Sequence, residues 1–237
     1  MSVSVALAAY NGEKFIAEQI ESVLSQLGED DEIIVSDDNP SGKTKEALLS
    51  FSDPRIKYVE GEGLGVVRNF ENALRLCKGD FIYLCDQDDI WMTGKIKTVQ
   101  SAFENGADLV LHNALITDEA LNPLGETSFD LYKPDTDFFG NLIKNTFVGC
   151  CMAFRREISE SALPFPEKLP MHDWWIALLS IKSKRNISLI EDPLIKWRRH
   201  AGNVTGGSTT LTQKIMFRLH IIGCLITVCR GKERSNG

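Results

Sequence analysis

Three carboxylates fall within four positions of the stretch Tyr83-Leu84-Cys85-Asp86-Gln87-Asp88-Asp89-Ile90-Trp91. Held that close, Asp86, Asp88 and Asp89 repel one another, so a shared cation is expected, most simply Mg²⁺ or Mn²⁺. A solvated acidic turn is the plainer alternative. The apolar run at residues 81–85 reads as a short buried strand, introduced by Lys78-Gly79-Asp80. Carboxylates at the carboxyl end of such a strand sit where α/β proteins hold their ligands.

Other segments carry comparable chemistry. Tyr10-Asn11 and Asp37-Asp38 close the apolar runs at residues 3–9 and 32–36. With the acidic stretch they suit a nucleotide: a ring to stack on the base, a carboxylate for a base N–H or ribose hydroxyl, a metal for the pyrophosphate. Taken singly, Tyr10 could be packing and Asp37-Asp38 a turn or cap. Arg68, with Asn69, opens a helix after a glycine loop and is either an anion contact or a solvated cation. Gly63 and Gly65 lack the third glycine of a dinucleotide fingerprint and are discounted. Met171-His172-Asp173-Trp174-Trp175 sets one acid among aromatics. Asp173 there is a helix cap, a general base of raised pKa for a sugar hydroxyl, or both. Trp197-Arg198-Arg199-His200 runs into Ala201-Gly202-Asn203-Val204-Thr205-Gly206-Gly207. That segment is a basic surface loop or a lid, with His200 completing a metal shell and the arginines holding phosphate.

The elements that must position these groups alternate. Strand-like runs at 3–9, 32–36, 56–59 and 81–85 are separated by helical patterns. The first helix carries Ile16, Ile20, Val23 and Leu27 on one face up to Gly28, the second covers 43–50, and the third carries Val67, Phe70, Leu74 and Cys77. Such alternation implies βαβ units, an α/β class and a mostly parallel sheet. The second half is less regular. A helix is expected at 93–104, a strand at 108–112, a long loop at 117–137 and a strand at 147–154. A helix at 174–183 and short strands at 187–190 and 194–197 follow. One domain with an α/β front and an α+β back accounts for the pattern.

Hydrophobic content of 43% and charged content of 25% are ordinary for a soluble globular chain. A net charge of −7 argues against nucleic acid as a partner. Residues 195–237 carry +7 and the first 194 carry −14, which suggests an anionic surface or phosphate-rich ligand near the C-terminus. The six cysteines show no C-x-x-C and read as reduced thiols. No basic leader precedes Val3, so a cytoplasmic location is expected. The apolar stretch 215–229 is interrupted by Arg218 and His220 and cannot span a membrane. Its Ile215, Leu219, Ile222 and Ile226 share a helical face beside Lys214 and Arg218, as in a terminal helix packed on the domain or one lying in a membrane interface.

The motifs, taken jointly, carry a resemblance. Ala8-Ala9-Tyr10-Asn11-Gly12 and Val35-Ser36-Asp37-Asp38-Asn39-Pro40-Ser41 match two strand-end motifs of the family-2 glycosyltransferases of the GT-A fold. Cys85-Asp86-Gln87-Asp88-Asp89-Ile90-Trp91 resembles their metal-binding "DxD" region. Phe147-Val148-Gly149-Cys150-Cys151-Met152-Ala153-Phe154 resembles their acceptor-side segment, and His172-Asp173 their catalytic-base region. Trp197-Arg198-Arg199-His200 with Asn203-Val204-Thr205 is similar to the rhamnosyl- and O-antigen glucosyltransferase subgroup of bacterial polysaccharide synthesis.

The resemblance implies a Rossmann-like GT-A domain over 1–207, with a nucleotide-binding half at 1–91, an acceptor-side half at 92–207 and a basic amphipathic tail at 208–237. It implies Tyr10 and Asp38 at the base, Asp86 or Asp88 near the ribose, Asp88 and Asp89 at the metal and pyrophosphate, and Asp173 as the base catalyst. Asn11, Arg68 and Arg199 join these as nucleotide-sugar contacts, and His200 as a metal ligand. The expected activity is inverting, Mg²⁺- or Mn²⁺-dependent transfer from a UDP- or dTDP-sugar to a saccharide or lipid-linked saccharide. The tail either packs on the domain or touches the inner face of the membrane. His-Asp replaces the Glu-Asp of many relatives, and Pro40 stands where Ser or Gly is frequent. Two other classes remain open: a phosphatase or nucleotidyltransferase on the same acidic edge, and a non-catalytic sugar-binding protein.

Overall fold

The computed structural model describes residues 1–203 and 210–235. Val204, Thr205, Gly206, Gly207 and the expected boundary at 207/208 lie outside the described residues. A continuous apolar run must be covered on both faces, which is the condition of an interior parallel strand. β1 (Val3–Ala9) meets it and is buried throughout. α1 (Ile16–Leu24) buries Ile16, Ile20 and Val23 but stops a turn before Gly28. β2 (Glu32–Asp37), α2 (Thr44–Leu48), β3 (Ile56–Glu60), α3 (Val66–Leu76) and β4 (Phe81–Asp86) complete the front half. β1 pairs parallel with β2 and with β4, in a register that sets Ala9 beside Asp37 and Ala8 beside Asp86. The polar strand ends therefore gather on one edge.

From β4 the chain crosses to β5 (Ile90–Trp91) and then α4 (Lys95–Glu104). β6 (Leu109–Thr117) runs well past the expected end at 112. The expected loop at 117–137 is replaced by β7 (Pro123–Thr127) and α5 (Ser128–Tyr132). A capping box between Thr127 and Asp130 starts α5. Asn113 Oδ1 accepts from the Ala114 and Phe129 N–H groups and the Ser128 hydroxyl, which docks α5 on β6. α6 (Phe138–Ile143) leads to a 3₁₀ turn at Gly149–Cys151, and only then to β8 (Met152–Arg155), so the expected strand at 147–154 is half turn. α7 (Arg156–Ala162) and α8 (His172–Lys182) precede β9 (Ile187–Arg198). β9 is one strand where two were expected, because Pro193 sits at a register irregularity against β6. α9 (Leu211–Ser235) ends the chain.

The sheet order is β3-β2-β1-β4-β8-β6-β9-β5, with β7 on β6. β8 is antiparallel to its neighbours β4 and β6, and β5 is antiparallel to β9. One sheet thus spans both halves without a break at residue 91. α9 buries Ile221, Cys224 and Leu225, and Arg218 Nε donates to Ile143 O at 2.7 Å. Ile215, Leu219, Ile222 and Ile226 remain 37–57% exposed. No described helix is long and apolar enough to cross a membrane.

Gly79 shows how tightly the bottom of this sheet closes. A Cβ there would lie 2.5 Å from Ser4 N and 2.7 Å from Val3 C, both backbone atoms. Gly79→Ala should cost about 1–3 kcal/mol or more in urea unfolding. Gly28→Ala, which meets only Asp31 Oδ2 at 3.4 Å, should stay within about 0.5 kcal/mol of the parent. Equal effects would show that the Gly79 approach is not rigid.

Candidate active site

The acidic stretch is a bridge from β4, inside the sheet, to β5 at its far edge. Two side chains fix its path. Gln87 Oε1 accepts from Tyr10 N–H at 2.8 Å and Nε2 donates to Tyr10 O at 3.0 Å. Arg198, at the end of β9 and 4% exposed, holds the other end. Its N–H donates to Asp89 Oδ1 (3.1 Å), its Nε to Asp88 O (2.8 Å), its Nη1 to Glu119 O (2.9 Å) and its Nη2 to Glu18 Oε2 (2.5 Å). An arginine so committed is a structural clamp, which corrects its expected role as a phosphate ligand.

Asp86 and Asp88 line a cleft of about 770 Å³ together with Tyr10, Asp38, Asn69, His172 and Asp173. Burial, then the charges of Asp88 and Asp173, push the Asp86 carboxyl well up. Asp89, 1% exposed, is pushed up by burial and by Asp88 and Asp86. Its Oδ2 is buried without a well-formed hydrogen bond, and the Cys150 thiol lies against both carboxylates. Behind them Lys95 is fully buried, 4.0 Å over the Trp91 ring, with Nζ donating to Cys150 O at 3.3 Å. Trp91 is thus a platform for an internal cation.

The expected metal shell of Asp88, Asp89 and His200 is not assembled as such. His200 Nε2 lies 2.8 Å from Asp88 Oδ2, and Asn203 Nδ2 donates to the same oxygen at 3.0 Å. Asp89 instead groups with Asp86 and Cys150, one donor atom of each lying within 4.8 Å of the others. The bond from Arg198 N–H explains the difference, since it turns Asp89 inward. The residues fit a divalent cation nonetheless. Crowded carboxylates of raised proton affinity and an orphaned oxygen are electrostatically incomplete, and their oxygen and imidazole donors suit Mg²⁺ or Mn²⁺.

At the end of the cleft lined by Tyr10 both Asp38 oxygens are engaged, Oδ1 by Gly63 N–H (2.9 Å) and Oδ2 by Gly65 N–H (2.7 Å). Both glycines have positive φ, 71° and 88°, so the loop dismissed as a fingerprint is what Asp38 shapes. A carboxylate retains further lone pairs for a ligand. Tyr10 is 59% exposed, and Asn69 Oδ1 is buried without a partner while its Nδ2 donates to Ala9 O. Three expected contacts lie elsewhere. Asn11 accepts from Asn39 Nδ2 at 2.7 Å and shapes the turn. Arg68 pairs with Glu71 and donates to the Phe165 and Pro166 carbonyls, joining α3 to the loop before α8. Arg199 stacks 4.8 Å over Trp197, outside the cleft lining.

At the other end Asp173 is the second residue of α8, whose N-cap is Met171, so it does not cap the helix. Asp173 Oδ1 accepts from Trp174 N–H (2.6 Å) and Asn145 Nδ2 (3.2 Å). Burial raises its pKa to about 6 against those bonds and one from the Gly149 backbone. His172 stacks 4.0 Å from Phe70, its two ring nitrogens lack partners, and burial lowers its pKa to about 3. The imidazole is therefore neutral. Lys95 and Asn145 were not singled out from sequence, and Gln87, Cys150 and Asn203 entered only as members of motifs without a role, since isolated amides, a lysine and a thiol carry no spacing signal.

Residues 4–163, more than half of the chain, match the family model described as Glycosyl transferase family 2. The chain belongs to glycosyltransferase family 2. Among its relatives is the Escherichia coli UDP-Glc:alpha-D-GlcNAc-diphosphoundecaprenol beta-1,3-glucosyltransferase WfgD, 31% identical over 79% of this chain and 72% of that protein. The Shigella flexneri dTDP-rhamnosyl transferase RfbG is 27% identical over 88% of this chain and 76% of its own. The fold is GT-A. S. aureus TarS 1–349, solved with UDP-GlcNAc, superposes with a TM-score of 0.70 at 18% identity, covering 94% of this chain. The chain spans 66% of that structure, just under two thirds. Glucosyl-3-phosphoglycerate synthase from Mycobacterium tuberculosis, solved with Mn²⁺, UDP and glucosyl-3-phosphoglycerate, gives 0.62 at 19% identity over 96% of this chain and 80% of its own.

A carboxyl whose folded pKa exceeds its unfolded value binds its proton more tightly when folded. Its ionised burial therefore weakens the fold as pH rises from about 3.8 to about 6 and fully above that. Asp173→Asn should stabilise the chain by about 1–3 kcal/mol at pH 7.5. The gain should shrink toward zero near pH 4, read by urea unfolding at both pH values. No gain at pH 7.5 would mean that Asp173 is not strained when ionised.

Proposed function

We propose that this chain moves a sugar, with inversion, from a UDP- or dTDP-sugar to a saccharide or lipid-linked saccharide in bacterial surface polysaccharide assembly. The observation that carries the reading is a buried Asp173, pKa raised to about 6, lining the same cleft as Asp86 and Asp88. A base of that pKa is ionised at neutral pH yet keeps driving force for taking a hydroxyl proton. WfgD and RfbG bear UDP-glucose and dTDP-rhamnosyl names, which support this donor class.

In this mechanism Tyr10 and Asn69 receive the base, with Asp38 and its glycine loop shaping that end. Asp88 and His200 would hold a divalent cation, which offsets charge on the departing nucleoside diphosphate. Asn145 and the Trp174 N–H aim the Asp173 carboxylate through Oδ1, and its other oxygen accepts the acceptor's proton as that hydroxyl attacks. One base suffices for a single displacement, so no covalent intermediate on the protein is required. The exposed stripe of Ile215, Leu219, Ile222 and Ile226 beside Lys214 and Arg218 supports peripheral contact with the inner face of the membrane, where a lipid-linked acceptor is presented.

A thermal-shift panel of UDP-, dTDP- and GDP-sugars, with and without Mn²⁺, should single out one donor whose stabilisation disappears with EDTA. Stabilisation unaffected by EDTA would remove the cation from the mechanism. With that donor, kcat should fall about tenfold per pH unit below about pH 6. Asp173→Asn should lose about 10²–10⁴-fold in turnover with donor affinity retained. Near-normal turnover in that variant would remove Asp173 from the role of base.

A further inference from the structure

The reaction described above leaves Cys150 unused, although its thiol sits at the centre of the acidic cluster. Asp86 ends β4, Asp89 belongs to the bridge, and Cys150 lies in the 3₁₀ turn before β8. Two segments, the acidic stretch and the 3₁₀ turn, thus bring two carboxylate oxygens and one sulfur within 4.8 Å of one another. Cys150 is 2% exposed and Asp89 1% exposed, and Asp89 Oδ2 is an unsatisfied acceptor in this pocket.

We propose that Asp86, Asp89 and Cys150 form a second divalent-cation site, selective for a thiophilic ion such as Zn²⁺, whose filling shuts the donor site. Donors around a four-coordinate zinc stand roughly 3.3–3.8 Å apart, given bonds of about 2.0–2.3 Å. Shifts of no more than about 1 Å per donor close the observed triangle onto an ion. Binding breaks the S–H bond and the O–H bond of whichever of the two carboxyls is protonated, releases those protons to solvent and forms zinc–sulfur and zinc–oxygen bonds, with no oxidant involved. Two carboxylates and a thiolate carry three negative charges. Lys95, bonded to the Cys150 carbonyl, offsets one of them and a divalent ion the other two.

The selectivity follows from the donor set. A thiolate favours zinc over manganese and magnesium, whereas Asp88 and His200 offer only oxygen and nitrogen. Asp86 lines the cleft and so provides the way in, leaving the fourth zinc position on that side. Drawing Asp86 back toward the sulfur removes a carboxylate from the donor wall. The shutting of the donor site rests on the donor reading above; the binding does not.

The X-ray absorption spectrum of the unaltered chain with one equivalent of Zn²⁺ should show one sulfur at about 2.3 Å beside oxygen or nitrogen. A shell of oxygen and nitrogen alone overturns the site. Titration with Cd²⁺ should give a thiolate charge-transfer band in the parent and in Cys151→Ser, lost in Cys150→Ser. Zn²⁺ affinity should fall at least tenfold in Cys150→Ser and in Asp89→Asn. A band that survives Cys150→Ser overturns the assignment. Finally, UDP with Mn²⁺ should raise Tm, and one equivalent of Zn²⁺ should abolish that rise in the parent but not in Cys150→Ser. No rise with UDP and Mn²⁺ alone refutes the donor reading while the spectra still decide the zinc site. A rise indifferent to zinc refutes the shutting.

Discussion

The buried guanidinium of Arg198 is the contact on which the site depends. It touches the bridge at the Asp88 carbonyl, the loop at Glu119 and the helix at Glu18, and packs 4.6 Å from Phe15, while the backbone N–H of the same residue donates to Asp89 Oδ1. A buried cation of this kind is stabilising only when every donor is used, and breaking one side leaves the other charge uncompensated. Here the clamp sets which carboxylate faces the cleft and which faces inward. Asp88 is left to His200 and Asn203, while Asp89 is turned toward Asp86 and Cys150.

Crowded acids in a low-dielectric wall weaken the fold, and this chain spreads that cost. Lys95 supplies one fixed charge from behind, over the Trp91 face. Hydrogen bonds from Asn145 and the α8 backbone hold Asp173 against its burial. What remains unbalanced is concentrated at the cleft, where ligands can relieve it. The site is therefore least content when empty, a common condition of machinery built to bind charge.

Much of the front half was legible because long buried strands write themselves as unbroken apolar runs. β1, β2 and β4 fall where the runs at 3–9, 32–36 and 81–85 lie, and their register brings the polar ends together. The back half was harder for a stated reason in each place. Asn113 ties α5, β6 and β9 together through four polar contacts, two of them to α5, that no periodicity encodes. β9 continues through Pro193, a residue that alone argues for a break. Arg68, Arg198 and Arg199 are chemically apt for phosphate, yet tertiary partners claim them. Asp173 and Asp88 were recognisable by type and motif, but the Asn145, Asn203 and Gln87 side chains that aim them are visible only in three dimensions.

The bridge from β4 to β5 also has a temporal meaning. β5 pairs with β9, and the Arg198 that holds Asp89 follows it by 109 residues. On a ribosome, the acidic turn is made early and waits, uncompensated, until those 109 further residues have been added. The front half can form its parallel sheet in that interval, but its ligand edge stays undefined. Emergence of residue 198 and the shaping of this edge of the cleft are thus one event, and a chain cut short before it would carry the charges of the site without its shape.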